Sequence, residues 1–521
     1  MLSSSEPAAL ENPPEVVGAG GSAGGTRSLG VRLSAATRRA AAATVASVKG
    51  ASPWQWLLWV IITLYVWAMT SMSLAAHHGL GTSSYDTGIF EQGIWLVSQG
   101  DSPFVTLRGL HLFGDHSSYV LLLLAPIYAL FPTSGTLFFA QAAGIALGAL
   151  PVFLYARRRL GSEPIALLMA AVFLLHPATS WGNMFEFHPD AFLPTFMGFA
   201  LYGALERRWR IYTVFVVLSL MVKEDMLLAI VPLGAWVAWR RDRVIGLLTI
   251  GWASVFTVFS AVIALQYFNA AAGAFSGRGS RIPFGGLSGL VKTAFTEPGQ
   301  LFDHLRSDRR GWYLWQISAP FAWVFLRLPE ISAIAGLVVV GNMLSTHGYQ
   351  HRIGFHYQFV VVVVLTMGTV YALGAFRKRR NLAVAAVALT MLWTSFLWSS
   401  LPFARSPRSF TEPDHPRSVA AREVVAMVPP DAAVSAYTVL TPHLARRTTL
   451  YMFPNPFHTN YYGPEGLAGG LRLPAADSID FVILPKTVSE EFVESWERER
   501  PSFTLVFSNE YWDLWSRNPD G

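Results

Sequence analysis

The 521-residue chain contains no cysteine. This absence excludes disulfide bonds, thiolate catalysis and zinc or iron–sulfur sites with cysteine ligands. Charged residues are also scarce, at 14% of the chain, whereas a soluble domain has about a quarter. Hydrophobic residues make up 52% and fall into many long apolar runs. These proportions predict a polytopic membrane protein.

The formal net charge of the chain is +6. In a membrane protein an excess of basic residues collects in cytoplasmic loops, so this charge does not indicate nucleic-acid binding. Residues 1–50 are rich in Ala, Gly, Ser and Pro and contain no long apolar run. We expect a disordered cytoplasmic tail rather than a signal peptide, because the first apolar run starts near Trp54 and is long enough to span.

Apolar runs predict about eleven transmembrane helices within residues 51–401. They are residues 54–75, 134–156, 163–180, 191–205, 211–222, 226–239, 244–267, 313–326, 329–345, 357–375 and 381–401. Several are shorter than the ~20 residues that usually cross a bilayer, as half-buried helices or helices in a thinned or water-filled region would be. The tail and four basic clusters then fall on one side, which the positive-inside rule makes cytoplasmic. The clusters are residues 157–159, 207–210, 240–243 and 377–380.

This topology requires that the apolar residues 118–131 do not cross the membrane. Pro126 and Pro132 interrupt the stretch, which favours a short helix at the membrane surface or a re-entrant segment. An ordinary span is the alternative, and it would invert the rest of the topology.

Polar residues collect at the ends of the predicted spans on the opposite, extracytoplasmic side. Ionisable groups beside a membrane are costly and by default indicate a functional site. They come from five stretches, "SSYDTGIFEQGIW", "HLFGDHSS", "FEFHPD", "KED" and "STHGYQHRIGFHYQ". The candidate site residues are Asp86, Glu91, Asp115, His116, Glu186, His188, Asp190, Lys223, Glu224, Asp225, His351, Arg352 and His356. For each stretch taken singly, a solvated loop is the alternative.

The sequence pattern changes after Leu401. "SPRSFTEPDHPRS" predicts a linker, and short alternating strand and helix patterns follow it. We expect residues 402–521 to form a small extracytoplasmic α/β domain with strands over "AVSAY", "TLYMF" and "DFVILP" and a closing hairpin over "FTLVFSNEYWDLWSR". His443 and His458 are predicted to be packing or surface residues, and a role in the membrane site is the alternative.

The loop of residues 268–312 is rich in Gly and Ser and contains Arg278, Arg281 and Lys292. A mobile lid or an anion-binding loop would have this composition, and so would a plain connection between two helices.

The candidate residues suit glycosyl transfer from a lipid-linked sugar phosphate. A carboxylate, Asp86 or Glu91, would deprotonate the acceptor hydroxyl, while Lys223, Arg352 or a histidine would bind the phosphate. The acidic and histidine clusters also offer ligands for a divalent cation, but no spacing is specific for a metal. A transporter is the alternative, although its charged groups would lie at mid-depth rather than at one end of the spans. A non-catalytic receptor or assembly protein is a further alternative.

Several motifs, in one order, resemble an uncharacterised family of bacterial membrane proteins, domain of unknown function 2079. They are "YDTGIFEQGIW", "GDHSSYVLLLLAPIYALFP", "FEFHPDAF", "KEDMLLAI" and the C-terminal "VPPDAAVSA", "TPHLARR" and "LYMFP". More distantly, the layout is similar to the GT-C glycosyltransferases, which have an acidic catalytic residue after the first span and then an interfacial helix. Asp86 matches that acid by position, whereas Ser117 and Ser118 replace the two prolines of the interfacial-helix motif.

The resemblance implies an all-α membrane domain of GT-C type in the inner membrane, with a cytoplasmic N-terminus. Its partners would be membrane lipid and a polyprenyl-phosphate sugar donor, and transfer would occur on the extracytoplasmic face. Asp86 is the leading candidate for the base. The adjacent acid pair common in that superfamily is absent, since Glu91 follows five residues after Asp86.

Overall fold

The computed structural model describes residues 50–268, 281–461 and 469–519. The predicted tail and Arg278 of the predicted lid therefore lie outside the described residues. The described chain is mostly helical, as the sequence predicts. Its first helices are Pro53–His78, Ile89–Gln99, Leu112–Asp115, Leu121–Leu130, Ser134–Ala146, Ala149–Leu160, Glu163–Leu175, Pro177–Met184, Leu193–Leu205, Trp209–Leu220, Leu227–Arg240 and Arg243–Val258. The later helices are Leu265–Phe268, Leu287–Thr296, Pro298–Arg306, Arg310–Ser318, Gly336–Leu344, Phe359–Leu373, Arg380–Trp398, Pro416–Ala426, Thr441–Leu444 and Glu490–Glu499.

Five helical segments of the described residues are long and apolar enough to cross a membrane. They are Pro53–His78, Ser134–Leu160, Arg243–Val262, His356–Leu373 and Arg380–Trp398. A sixth span results if the helices Glu163–Leu175 and Pro177–Met184, bent by 48°, are counted as one. Other predicted spans contain shorter helices, such as the 13-residue Leu193–Leu205 and the 12-residue Trp209–Leu220. By length and composition the described structure thus supports five or six of the eleven predicted spans, and the full number stays a prediction.

The bend between Glu163–Leu175 and Pro177–Met184 has a local cause. Pro177 cannot donate a backbone hydrogen bond to the preceding turn, so the helix is interrupted there. The buried His176 side chain caps the second helix instead, because its Nδ1 accepts from the backbone N–H of Ala178 at 3.2 Å. The bend directs the chain after Met184 towards the polar stretch that contains His188.

The helix Phe359–Leu373 lies at the centre of the bundle, and nearly all of its residues are buried. Its run of valines is apolar on every face, as expected for a helix surrounded by other helices. It packs against Ala149–Leu160 and Leu193–Leu205. These two helices also approach each other closely at Gly198, since a Cβ atom there would lie 2.7 Å from Cγ of Pro151.

The C-terminal region contains a five-stranded sheet of strands β3 (Val434–Ala436), β4 (Leu450–Met452), β5 (Phe481–Pro485), β6 (Phe503–Ser508) and β7 (Trp512–Arg517). The strand order is β4-β3-β5-β7-β6. Strand β3 pairs in parallel with β4 and β5, whereas β7 pairs antiparallel with β5 and β6. The three predicted strands and the predicted closing hairpin are all present. Two short strands, β1 (Phe104–Val105) and β2 (Leu110–His111), form a separate antiparallel pair.

The sheet shares a hydrophobic core with the segment that follows the first long helix. Ile89 and Ile94 belong to the same buried cluster as Val434, Ile483 and Trp512. The edge of the sheet is also covered, because Thr106 Oγ1 donates to the backbone oxygen of Leu450 at 2.6 Å and accepts from the backbone N–H of Leu450 at 2.9 Å. These contacts hold the C-terminal sheet beside the polar stretch that starts at Ser83.

Candidate functional site

All five polar stretches predicted from the sequence, together with their neighbours, enclose one cavity of about 710 Å³. The candidate residues that line it are Asp86, Asp115, His116, Glu186, His188, Asp190, Lys223 and His356. Further residues at its wall are Ser83, Tyr85, Ile89, Phe90, Arg108, Ser118, Phe185, Pro189, Arg281, Thr346, His347, Tyr349, Phe355 and Tyr357. Residues far apart in sequence thus converge at the same end of the helices.

Asp86 lies in the π-helical turn Ser84–Gly88, directly before the helix Ile89–Gln99. Such turns are rare and occur frequently at functional sites. The turn is anchored at its start, since Ser84 Oγ lies 2.7 Å from Oγ1 of the C-terminal Thr441. The carboxylate of Asp86 is 29% exposed and is therefore accessible from the cavity.

Asp86 is hydrogen-bonded to His188, with 3.1 Å between Oδ1 and Nε2. The His188 ring is buried and stacks on the His356 ring, with 3.7 Å between the ring centroids. Burial alone would lower the pKa of His188, but the carboxylate of Asp86 and the nearby acids Asp190 and Glu186 outweigh it and raise that pKa above its ordinary value. The raised pKa favours the protonated form of the His188 imidazole beside Asp86.

Glu186 has a supporting position in the cavity wall. Its carboxylate accepts hydrogen bonds from the backbone N–H groups of Ser83 and Thr87, both at 3.0 Å, and from Ser83 Oγ at 2.9 Å. Its backbone has a φ of 27°, a strained conformation for a non-glycine residue that surrounding contacts must hold. Burial and the charge of Asp86 raise the pKa of Glu186. Glu186 thus connects the turn that carries Asp86 to the stretch that carries His188.

The Gln141 side chain binds the backbone of residues 183–188. Its Nε2 donates to the backbone oxygens of Asn183 at 2.8 Å and Glu186 at 2.7 Å, and its Oε1 accepts from the backbone N–H of His188 at 2.9 Å. The side chain is fully buried in an otherwise apolar helix. Our sequence analysis missed this residue, although an amide within "TLFFAQAAGIA" is a signal that could have found it.

Of the lysine and arginine side chains in the described residues, those of Lys223, Arg108 and Arg281 line the cavity. Lys223 is buried, with its Nζ 3.7 Å from Asp190 Oδ1 and 5.3 Å from the centre of the Tyr357 ring. Burial opposes its charge, but the carboxylates of Asp190 and of neighbouring acids raise the pKa of Lys223 above its ordinary value. The ammonium group therefore stays protonated inside the wall of the cavity.

Arg108 and Arg281 did not figure among the candidate site residues predicted from the sequence. Arg108 is buried, and its Nη2 lies 3.5 Å from Asp115 Oδ1. Arg281 comes from the loop of residues 268–312, which the sequence left open as a lid, an anion-binding loop or a plain connection, and its backbone oxygen accepts from the N–H of Thr346 at 2.9 Å. Both arginines occur in loops whose local sequence has no motif, so only the tertiary fold could bring them to the site.

Five of the predicted site residues lie outside the cavity lining: Glu91, Glu224, Asp225, His351 and Arg352. Glu224 supports the lining residue His116, with 3.0 Å between Oε1 and Nδ1. Asp225 lies 3.9 Å from Lys223 Nζ. His351 and Arg352 both approach the carboxylate of Asp308, at 2.7 Å and 3.7 Å.

Glu91 points away from the cavity into a buried environment. It is 1% exposed, and its carboxylate accepts from the Tyr128 hydroxyl at 3.0 Å and from Ser134 Oγ at 2.6 Å. Burial raises the pKa of Glu91 to about 7. Glu91 thus links the helix after Asp86 to the helices Leu121–Leu130 and Ser134–Ala146, and its geometry suits a positioning role.

Within residues 50–268, 281–461 and 469–519, no three His, Asp or Glu side chains are arranged to hold a metal ion. Outside the cavity, His443 stacks on His77 with 4.1 Å between the ring centroids, which is a packing position.

The described fold is a helical bundle with several helices apolar enough to cross a membrane and a polar cavity at one end of its helices. The chain belongs to the family described as Predicted membrane protein (DUF2079), whose model matches residues 76–484. No curated protein sequence matches the chain.

Among solved structures, the chain is similar to ArnT from Cupriavidus metallidurans bound to undecaprenyl phosphate. The TM-score is 0.50 at 13% sequence identity, covering 90% of this chain and 99% of that chain. The apo state of the same ArnT gives a TM-score of 0.41 at 14% identity, covering 88% and 98%. At such low identity the likeness concerns the fold.

Proposed function

We propose that the protein is a membrane glycosyltransferase that moves a sugar from a polyprenyl-phosphate donor to an acceptor hydroxyl. One observation carries the proposal: the hydrogen-bonded pair of Asp86 and His188 shares a cavity with the cations Lys223, Arg108 and Arg281. A base and a set of phosphate-binding cations are the two parts that this reaction needs.

In the proposed reaction Asp86 is the general base. Its carboxylate takes the proton of the acceptor hydroxyl while the acceptor oxygen forms a bond to the anomeric carbon of the donor sugar. The bond between that carbon and the phosphate oxygen breaks, and its electron pair leaves with the phosphate. His188 holds the carboxylate in place through the hydrogen bond from its Nε2.

The cations stabilise the leaving group in this proposal. Negative charge develops on the phosphate as its bond to the sugar breaks, and positive side chains in a partly enclosed cavity stabilise such charge strongly. Lys223 is fixed by Asp190, so it is already oriented before the donor binds. Arg281 follows residues 269–280 in the chain. It would complete the phosphate site from a segment that is separate in sequence from Arg108 and Lys223.

In this proposal the donor's lipid tail contacts the helix Leu121–Leu130. This helix begins three residues after the cavity-lining Ser118, and Leu123 and Leu130 are among its exposed apolar residues. An apolar face of this kind suits a membrane-surface helix in contact with lipid. The similar ArnT was crystallised with undecaprenyl phosphate, and we extend that class of lipid to this chain.

We further propose that the cavity opens on the extracytoplasmic side of the inner membrane. The basic clusters would then be cytoplasmic, as the positive-inside rule requires. In this topology residues 1–50 form a cytoplasmic tail, residues 51–401 form the membrane domain with about eleven membrane-inserted helices, and residues 402–521 form an extracytoplasmic domain. A reporter fused after Gly521 should be active only outside the cytoplasm, and cytoplasmic activity would contradict this topology.

The substitution Asp86→Asn tests the proposed function. It keeps the size of the side chain but removes the base, so kcat for sugar transfer from a polyprenyl-phosphate donor should fall by about 10²–10⁴-fold. The matched control is Asp101→Asn, which changes an exposed aspartate outside the cavity lining and should leave transfer unchanged.

Two outcomes would contradict the proposal. Full transfer by Asp86→Asn would remove Asp86 as the base. Movement of the lipid-linked sugar across vesicle membranes by the wild-type protein, without cleavage of the sugar–phosphate bond, would instead favour the transporter alternative.

A further inference from the structure

A second cavity, of about 380 Å³, lies in the C-terminal region at the carboxyl ends of the parallel strands β3, β4 and β5. Strand β3 comes first in sequence and lies between β4 and β5. The chain therefore passes from β3 to β4 on one side and then crosses to β5 on the other side. In open α/β sheets this arrangement marks the crevice where ligands bind. The residues that follow the three strands line the cavity: Tyr437 and Thr438 after β3, Phe453 and Pro454 after β4, Thr487 and Val488 after β5.

The lining of this cavity is aromatic and polar but uncharged. Phe453 and Phe492 contribute aromatic rings, and hydroxyl groups come from Tyr437, Thr487 and Ser489. Among the described residues these three hydroxyls make no hydrogen bond as donors or acceptors, so they remain available to a ligand. No Asp, Glu, Lys, Arg or His of the described part of the chain lines the cavity.

This combination favours one class of ligand, a neutral saccharide. An anionic ligand would find no cation in the described lining to balance its charge. A purely apolar ligand would bury the hydroxyls of Tyr437, Thr487 and Ser489 without hydrogen bonds, which is unfavourable. A sugar ring offers both an apolar C–H face for the aromatic rings and hydroxyl groups for the polar side chains.

The second cavity shares a wall with the first. Ser84 Oγ donates to Thr438 Oγ1 at 3.1 Å, and the Tyr85 hydroxyl donates to the backbone oxygen of Asn460 at 3.4 Å. Thr438 and Asn460 line the second cavity, while Tyr85 and Asp86 line the first. The π-helical turn that presents Asp86 therefore stands between the two cavities.

We propose that the second cavity binds a neutral sugar unit of the acceptor and thereby brings an acceptor hydroxyl to Asp86. The role as acceptor site rests on the proposed glycosyltransferase function, whereas saccharide binding itself does not. The two parts are tested separately, one by binding and one by turnover.

Binding is tested on the purified full chain by saturation-transfer difference NMR. The probes are the methyl glycosides of glucose, mannose, galactose and N-acetylglucosamine, in a detergent without a sugar headgroup. At least one should bind the wild-type protein. Thr487→Trp, which fills the cavity from an exposed position, should abolish that binding. The control Val493→Trp adds the same side chain at an exposed position outside the lining and should leave binding intact.

Two results would overturn saccharide binding. One is no binding of any probe by the wild type, and the other is equal binding by Thr487→Trp. If Thr487→Trp does not fold, Tyr437→Phe is the second test of saccharide binding. Loss of one neutral hydrogen bond should weaken binding about threefold to tenfold. Unchanged binding by Tyr437→Phe would then overturn the proposal.

The acceptor role is tested with a polyprenyl-phosphate donor radiolabelled in its sugar, added to membranes that contain the full chain. Thr487→Trp should reduce transfer to membrane acceptors at least about tenfold and leave slow release of the sugar to water unchanged. Equal loss of both activities would assign the second cavity to the donor and overturn the acceptor role. If the wild type binds saccharides but never cleaves the donor, the proposed function fails and the saccharide site stands.

Discussion

Removal of the Lys223 ammonium group should affect stability and transfer separately. Lys223 is 6% exposed, and its Nζ lies 3.7 Å from the carboxylate of Asp190, which is 8% exposed. Lys223→Met keeps a long apolar side chain but leaves the buried Asp190 without this partner. Removing one member of a buried ion pair costs about 3–5 kcal/mol, and the long separation places this pair at the lower end, about 3 kcal/mol.

The double variant Lys223→Met, Asp190→Asn distinguishes the two roles of the lysine. Removing both charges should recover most of the lost stability, because no buried charge is left without a partner. Sugar transfer should not recover, since the cation that we propose for the donor phosphate is still missing. Stability is measured as the midpoint of thermal unfolding of the full chain in detergent, and transfer as kcat/KM for the donor.

Lys292→Met serves as the control, because Lys292 is exposed on the helix Leu287–Thr296 and outside the cavity lining. It should change neither quantity. Wild-type stability of Lys223→Met would refute the reasoning about the ion pair. Recovery of transfer in the double variant would refute the assignment of Lys223 to the phosphate.

Three further variants probe the surroundings of the site. His188→Phe keeps an aromatic ring but loses the hydrogen bond to Asp86, so kcat should fall about tenfold to a hundredfold at unchanged donor KM, and an unchanged kcat would contradict this role. Burial raises the pKa of Glu91 from its ordinary value of 4.5 to about 7, so the folded chain keeps a proton that the unfolded chain releases. The wild type should therefore lose stability as pH rises from about 4.5 to about 7, and unfolding midpoints of Glu91→Gln should show a smaller slope over that range. Gln141→Leu removes the amide that binds the backbone of Glu186 and His188, and thermal unfolding should show a loss of about 1–3 kcal/mol.

The sequence was informative about the site because its polar residues occur at helix ends. Counting spans predicted that the five polar stretches lie on one side of the membrane, and all five contribute residues to one cavity. His188, Lys223 and His356 illustrate this, since they belong to different stretches and yet line the same wall. That inference required only knowing whether the number of membrane crossings between two stretches is odd or even.

Other features depended on tertiary structure. The π-helical turn changes the direction of Asp86 relative to Glu91, so helical spacing could not decide which of the two faces the cavity. Arg108 and Arg281 come from loops without a motif. The number of transmembrane spans was hard to derive from the sequence, because a helix surrounded by other helices can be apolar although it is short. Leu193–Leu205 is an example.

The shared core between the sheet and the first polar stretch sets the order in which the site can be completed. Trp512 and Leu514 of the last strand belong to the same buried cluster as Ile89 and Ile94, which flank the turn carrying Asp86. During synthesis the first long helix and this turn leave the ribosome more than four hundred residues earlier. The turn that carries Asp86 therefore gains its full buried support only when translation of the last strand is finished, so an incomplete chain in the membrane lacks part of the core behind this turn.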